Sequence, residues 1–539
     1  MIMKIRVMLF LPLFLLSCGK MMTMSEPLTR IEGTSYQFEE AQTVLGERIE
    51  IPYTIENLKK ALELLPPETK AAISESDFNP THYYVRFSPK NMMELDILRN
   101  LSPRVIFSEV PLDREVKTGG IYYHDPSLPD DVPTYQYSTI SIKRWEDLDT
   151  LSVKHEILLK AFMPDYNDNL ETKNTPKDYT LSPELEELLK MAYKITGHEF
   201  EGASVTKGGS WYPSGYIFSY DNIAGSVPIP NVRVRGTHFL TIKETLTDFN
   251  GYFILDSFNN SVTLKVIWES PDWDIRYGLI GQATYDGPTL NGMMWILNIP
   301  STQIGSSHMA AMQRAAHKVF FGYNDGLSKP NYSRKFKMSY MESTLDNGAT
   351  TGYFTAVTVG GTGPDIQIAG YDTTGARDVS HIFSSTCHEM GHAVHYSNNS
   401  LYNSSSDQLK ESWARFHQYY ITLNEYNDLG YASSLFSYDY SGTMIPDNQY
   451  NFQTQATGKH TPLFIDLYDD YNQHSYYNDP ALPNDEIAFF PPLQIESLAF
   501  SNTSILGVGT ALQTYASTHP GNVYNITYQT ILDLIAPYN

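Results

Sequence analysis

Cysteine is nearly absent. The 539 residues hold two, Cys18 and Cys387, so no disulfide framework staples the chain and its stability must come from hydrophobic cores. Basic residues are in deficit as well: 38 Lys and Arg against 61 Asp and Glu leave a formal charge of −23, which disfavours nucleic acid as a partner. Beyond the N-terminus no stretch is apolar and long enough to cross a membrane. What is plentiful is aromatic, with 39 tyrosines and 25 phenylalanines, a composition shared with many secreted bacterial proteins that handle polymers. The length exceeds one hydrophobic core, so about three or four domains are expected.

The N-terminus reads as an export signal. Lys4 and Arg6 precede an almost wholly apolar run from Val7 to Leu16, followed by Ser17-Cys18-Gly19, the order of a basic region, a short apolar core and a small-residue break. Leu15-Leu16-Ser17-Cys18 resembles the bacterial lipobox, which implies cleavage before Cys18, lipidation of Cys18, and a place in the cell envelope. The outer membrane is the expected anchor, with the protein facing the periplasm or the exterior. Residues 1–17 are then the signal peptide and 18–47 a polar tether. Cys387, left without a partner, is expected to be a small buried packing residue.

One stretch has a spacing with a chemical reason: Cys387-His388-Glu389-Met390-Gly391-His392. On a helix, residues four apart lie one above the other, so His388 and His392 point the same way and can hold one metal ion. Glu389 is then close enough to take a proton from water on that metal. The flanks agree, because Asp378 to Tyr396 contains no proline and one glycine, and Ser397-Asn398-Asn399-Ser400 ends the helix.

Catalytic zinc commonly takes three protein ligands and leaves one position open. Downstream candidates for the third are His395, Asp407, Glu411 and His417. His395 lies about 10 Å along the axis from His388, too far to share the ion. Glu411 lies on a second helix announced by the capping pattern Ser405-Ser406-Asp407-Gln408, and an antiparallel return would bring it opposite the histidine pair. His417, six positions later, faces another side of that helix. The pattern His-Glu-x-x-His, eighteen residues, then Glu resembles the gluzincin zinc metallopeptidases. That resemblance implies His388, His392 and Glu411 as ligands of Zn2+, Glu389 as general base, and a tyrosine or histidine steadying the oxyanion, for which Tyr438, Tyr440, Tyr450 and His460 are candidates. Two departures stand out. No Gly-Ala-Met-Glu-Asn exopeptidase motif occurs, which favours an endopeptidase, and Arg415 stands where thermolysin-like enzymes carry an aspartate that orients a zinc histidine.

The remaining chain is expected to be multidomain α+β. Residues 48–116 read as a small α/β domain with strands at Ile49 to Tyr53, His82 to Phe87 and Val105 to Pro111, and helices at Glu56 to Leu65 and Pro89 to Leu101. Residues 117–205 read as a connecting region with helical pieces near Val153 to Phe162 and Pro183 to Thr196. Alternation in Val232, Val234, Tyr252 and Ile254, and the Asp248-Phe249-Asn250-Gly251 hairpin signal, give a β-sandwich over 206–270 that resembles a carboxypeptidase regulatory-like domain. Residues 300–539 read as the catalytic domain, thermolysin-like with a mainly helical C-terminal half. Strands are expected at Phe336 to Met341 and Asp365 to Ala369; the resemblance makes Ile366-Gln367-Ile368-Ala369 the edge strand that pairs with a substrate backbone. Asp466, Asp469 and Asp470 fall on a helix, so a solvated acidic face is expected rather than a calcium loop.

The expectation is a lipid-anchored zinc metallopeptidase acting on protein or peptide substrates outside the cytoplasm. Two rivals remain: a non-catalytic surface lipoprotein binding glycans or peptides, and a zinc hydrolase of something other than a peptide.

Overall fold

The computed structural model describes residues 42–101, 105–148, 151–163, 181–200, 211–342, 352–355, 363–372, 375–431, 460–470 and 483–535, with a few single positions between 471 and 482. The expected signal, Cys18 and most of the tether lie outside the described residues. So do Tyr438, Tyr440 and Tyr450. The fold is α+β, with several sheets and, among the described residues, twelve α-helices; the C-terminal half is mainly helical.

The N-terminal module is built on an antiparallel three-stranded sheet in the order Gln136–Ser141, His82–Phe87, His155–Ala161. Helix Ile55–Leu64, capped by Thr54 accepting from the Asn57 N–H, packs Leu58 and Ala61 against Leu185, Leu188 and Ala192 of helix Pro183–Ile195. Residues 117–205 are therefore not merely connecting. They supply two of the three strands, and the expected helix near Val153 to Phe162 is strand His155–Ala161, because pairing with His82–Phe87 outweighs local helical preference. The expected strand at Ile49 to Tyr53 is displaced to Val44–Arg48, which pairs with Arg114–Thr118. Val105 to Pro111 forms only a single bridge, Ser108 with Tyr137. The helix expected from Pro89 starts at Met92, capped by Asn91, whose side chain accepts from the Glu94 N–H.

Two four-stranded sheets form the sandwich. One has the order Tyr252–Ile254, Ser214–Asp221, Trp295–Ile299, with Gly225–Pro228 also on Ser214–Asp221; the other is Thr284–Leu290, Val262–Ile267, Arg233–His238, Thr241–Leu246. Strand pairing does not divide at residue 270 or 300. The sandwich reaches Ile299, and within it Trp273–Tyr277 and Gly281–Gln282 leave to join another sheet.

That sheet has five strands in the order Gly281–Gln282, Trp273–Tyr277, Phe336–Met341, Ile366–Ala369, Gly352–Phe354. The middle three are parallel and the outer two antiparallel. Phe336, Met338, Tyr340, Ile366 and Ile368, all nearly fully buried, alternate along their strands with Lys337, Ser339 and Gln367, so they line one face of the sheet as its apolar core. Ile366–Ala369 is paired on both sides, so it is not the edge; among the described residues the edge strand on that side is Gly352–Phe354. One hydrophobic core runs from the sandwich through this sheet into the helices, including Ile217, Val266, Trp273, Met312, Phe383, Trp413 and Leu534.

Helix Ile304–Phe321 is almost wholly buried. Its Arg314 joins Asp221 of the sandwich at 2.8 Å to Glu425 of helix Asp407–Asp428 at 2.9 Å, and Tyr426 donates its hydroxyl to Asp221 at 2.8 Å. Burial raises the Asp221 carboxyl, but the Arg314 guanidinium outweighs it and holds the group below its ordinary range. The sandwich is thus ionically locked to the C-terminal helices.

Candidate metal centre

Helix Val379–Asn398 carries the histidines and helix Asp407–Asp428 the glutamate. The first starts under the sandwich, where the Asn222 side chain accepts from the Ser380 N–H at 3.0 Å. The second is capped by Ser406, which accepts from the Leu409 N–H at 3.2 Å. Between them a short 3-10 turn, Tyr402–Ser404, reverses the chain. Contacts run in opposite directions along the pair: His392 meets Glu411, Gly391 faces Ala414, and Ser384 meets Gln418. The helices are therefore antiparallel, as the spacing predicts.

Gly391 allows that approach. A Cβ there would lie 3.1 Å from the Ala414 Cα and 3.0 Å from the His417 Cβ, so any larger residue would push the second helix away. Trp413 donates its indole N–H to the Gly391 carbonyl at 3.0 Å, and His417 Nδ1 donates to the Cys387 carbonyl at 2.8 Å.

The result is a convergence of three donors. His388 Nε2 lies 3.3 Å and His392 Nε2 3.4 Å from Glu411 Oε2, and the three ligand atoms all fall within 4.8 Å of one another. Two imidazoles and a carboxylate crowded on one point are a donor set for a borderline divalent cation such as zinc, so the residues present fit a metal ion. Burial raises Glu411, but the His388 and His392 rings beside it prevail and hold its carboxyl far below the usual range. Burial lowers His392, and Glu411 reverses that.

Glu389 is 5% exposed, and burial is the chief cause that lifts its carboxyl above the ordinary value, the two histidines opposing and Glu411 adding to the rise. It abuts the edge strand: a Cβ on Gly352 would lie 2.6 Å from Glu389 Oε1. Phe354, two residues along the strand, stacks on the His392 ring at 6.0 Å and 21°, and Tyr396 and Tyr402 close the same side.

The other expected candidates fall elsewhere. His395 is fully buried, stacked on Phe500 at 4.9 Å and bonded to Asn399. His417 is buried on the Cys387 carbonyl, and Asp407 is exposed beside Lys410. Cys387 is buried and its thiol is pushed well up by desolvation, which makes it inert. His308 serves packing, with Nε2 donating to the Arg377 carbonyl at 2.8 Å. His460, the one oxyanion candidate among the described residues, is held down to about 4 first by burial and then by Arg415, within electrostatic reach of Glu411 and His388. Asp466 is fully buried, not on a solvated face, and Asp485 is buried with it and pushed up by desolvation and by Asp466 and Asp469.

Sequence reading missed the residues behind the ligands. His388 Nδ1 is 3.2 Å from Gln418 Oε1, and Gln418 donates its amide to Ser384 Oγ at 2.7 Å. A signal was present, because Gln418 lies seven residues after Glu411 and so shares its helix face. The edge strand had no such signal, since three residues show no useful periodicity. No family model, no curated protein and no solved structure matches this chain, so the convergence of His388, His392 and Glu411 beside Glu389 is what speaks for its chemistry.

Proposed function

We propose that the protein is a zinc metallopeptidase of the gluzincin kind, with a thermolysin-like catalytic domain, hydrolysing peptide bonds of proteins outside the cytoplasm. The observation that carries this reading is the placement of Glu389 between the three-donor site and an antiparallel edge strand. His388, His392 and Glu411 would hold the ion. The chemistry zinc supplies in such a set is Lewis acidity, which polarises a carbonyl and acidifies a coordinated water. Glu389 accepts the proton of the attacking water and returns it to the leaving amine; burial lifts its carboxyl above the ordinary value, which strengthens it as a base. The Gly352–Phe354 strand aligns an extended peptide through main-chain bonds. His460, the one oxyanion candidate among the described residues and within electrostatic reach of Glu411 and His388, is the group proposed to donate to the developing oxyanion.

The N-terminal module supports catalysis over simple capture, because its bonds lead elsewhere. Arg99 pairs with Asp274, Lys337 with Asp96, and Arg235 donates to the Phe107 carbonyl, all on the sandwich and on strands Trp273–Tyr277 and Phe336–Met341 of the five-stranded sheet. The rival of a lipoprotein that binds glycans or peptides without cleaving them leaves Glu389 without a task. The proposal includes export, lipidation of Cys18 and anchoring in the cell envelope, on the pattern of residues 4–18.

Metal content and casein cleavage test the reading. Wild type is expected to carry about one zinc per chain. Glu389→Gln should keep the metal and lose about 10²–10⁴-fold in activity, and Glu411→Ala should lose the metal. Zinc without cleavage in wild type would favour the binding rival; absence of zinc would sink the proposal.

A further inference from the structure

The resemblance to thermolysin-like enzymes calls for a carboxylate four residues after Glu411, and Arg415 stands there. The same duty has an occupant about one turn further on. Gln418 is 8% exposed, its Oε1 faces His388 Nδ1 at 3.2 Å, and its amide nitrogen is engaged by Ser384 Oγ at 2.7 Å. Ser384, itself 2% exposed, belongs to the same helix as His388 and lies one turn before it.

This geometry decides a tautomer. With its nitrogen turned toward Ser384, the Gln418 amide offers only an oxygen to His388, so the imidazole proton must sit on Nδ1. The lone pair is then on Nε2, the atom that faces Glu411 in the metal centre. A reversed amide would place the proton on Nε2 and remove His388 from the ligand set. His392 has no equivalent, because its Nδ1 is buried with no hydrogen-bond partner among the described residues.

We infer that Gln418 is a positioning residue that orients His388 as a metal ligand, and that a neutral amide does here what a carboxylate does in comparable sites. The consequence lies in charge. An anionic partner would make the His388 ring more basic and bind the metal more tightly. A neutral partner leaves Glu411 as the sole anion among the ligands and their described bonding partners, so the ion keeps more of its charge for the substrate carbonyl. The inference rests on the proposed metal site and concerns how that site is tuned.

The test is zinc affinity of the full chain, measured by competition with a chromogenic chelator, with thermal unfolding of the metal-free forms alongside. Gln418→Leu should weaken zinc binding about 10–100-fold. Gln418→Glu, which keeps both size and acceptor, should bind at least as tightly as wild type. In a His388→Ala background, Gln418→Leu should cost nothing further, because its effect passes through that ring. Equal zinc affinity in wild type and Gln418→Leu would overturn the inference while leaving the metal site standing. So would a loss that adds in full to that of His388→Ala, since a merely structural role behaves that way. If Gln418→Leu unfolds, a Gln418→Glu chain that is folded but tenfold weaker for zinc overturns it equally. Wild type that binds no zinc would remove the metal site and the inference together.

Discussion

At Gly352 the absent side chain makes room for a carboxylate. A Cβ there would sit 2.6 Å from Glu389 Oε1, 2.7 Å from its Cγ and 2.9 Å from its Cδ. These atoms belong to the mobile end of a side chain, so Gly352→Ala should displace the Glu389 carboxyl rather than unfold the protein. The expected outcome is an activity fall of about tenfold or more, with zinc content and melting temperature unchanged. Unchanged casein turnover would show that Glu389 does not need that space. Residue-scale chemistry of this kind was partly legible beforehand: the His388–His392 spacing and Glu389 follow from the helical repeat alone. Gly352 did not, because its importance comes from a strand 37 positions before Glu389 in the chain that folding lays against the helix.

At the scale of elements, the centre is a helix pair whose separation is set at Gly391. Replacing it with valine would force methyl groups into the Ala414 backbone and the His417 side chain. The expected cost is about 1–3 kcal/mol in unfolding free energy, together with weaker zinc binding, because Glu411 rides on the displaced helix. Chemical denaturation and chelator competition read the two effects, and valine tolerated in both would contradict this account of the packing. The first helix was legible from its proline-free stretch and polar stop, the second from its capping pattern. Their crossing was not, since no single segment states how closely it meets its neighbour. The strand at His155–Ala161 makes the same point in reverse, since its Ile-Leu-Leu run suits helix and strand alike and only the partner strand His82–Phe87 resolves it.

The whole molecule depends on buried groups that must stay neutral or paired. His308 is 1% exposed, with Nε2 donating to the Arg377 carbonyl and Nδ1 accepting from the Tyr340 hydroxyl at 3.2 Å. Desolvation is the chief cause that pushes it from 6.5 down to about 4. The folded value lies below the unfolded one, so the unfolded chain takes up the proton first. Stability is complete above pH 6.5, falls as pH drops toward 4, and changes no further below that for this group, a loss of about 3 kcal/mol at most. Asp221 is shifted in the same direction: its lowered carboxyl contributes in full above pH 3.8, and that contribution is lost as pH falls further. Denaturation midpoints should therefore decline from pH 6.5 downward and continue below 4. His308→Asn should flatten the upper part of that decline, and an identical slope in both proteins would refute the assignment.

Taken by itself, the sequence determined the composition-level exclusions, the histidine pair that could hold a metal ion, the helix that bears it and the acidic third donor on a second capped helix. These are local, carried by the 3.6-residue repeat, by caps and by charge, all readable within about twenty residues. Only the tertiary structure decided that, among the described residues, Gly352–Phe354 and not Ile366–Ala369 lies at the sheet edge, that Gln418 stands behind His388, and that Trp273–Tyr277 leaves the sandwich to join the five-stranded sheet. Each of those is a pairing between segments distant in sequence. Such pairings are chosen by which surfaces bury together and which hydrogen bonds remain to be satisfied, and no single stretch of the chain contains that information.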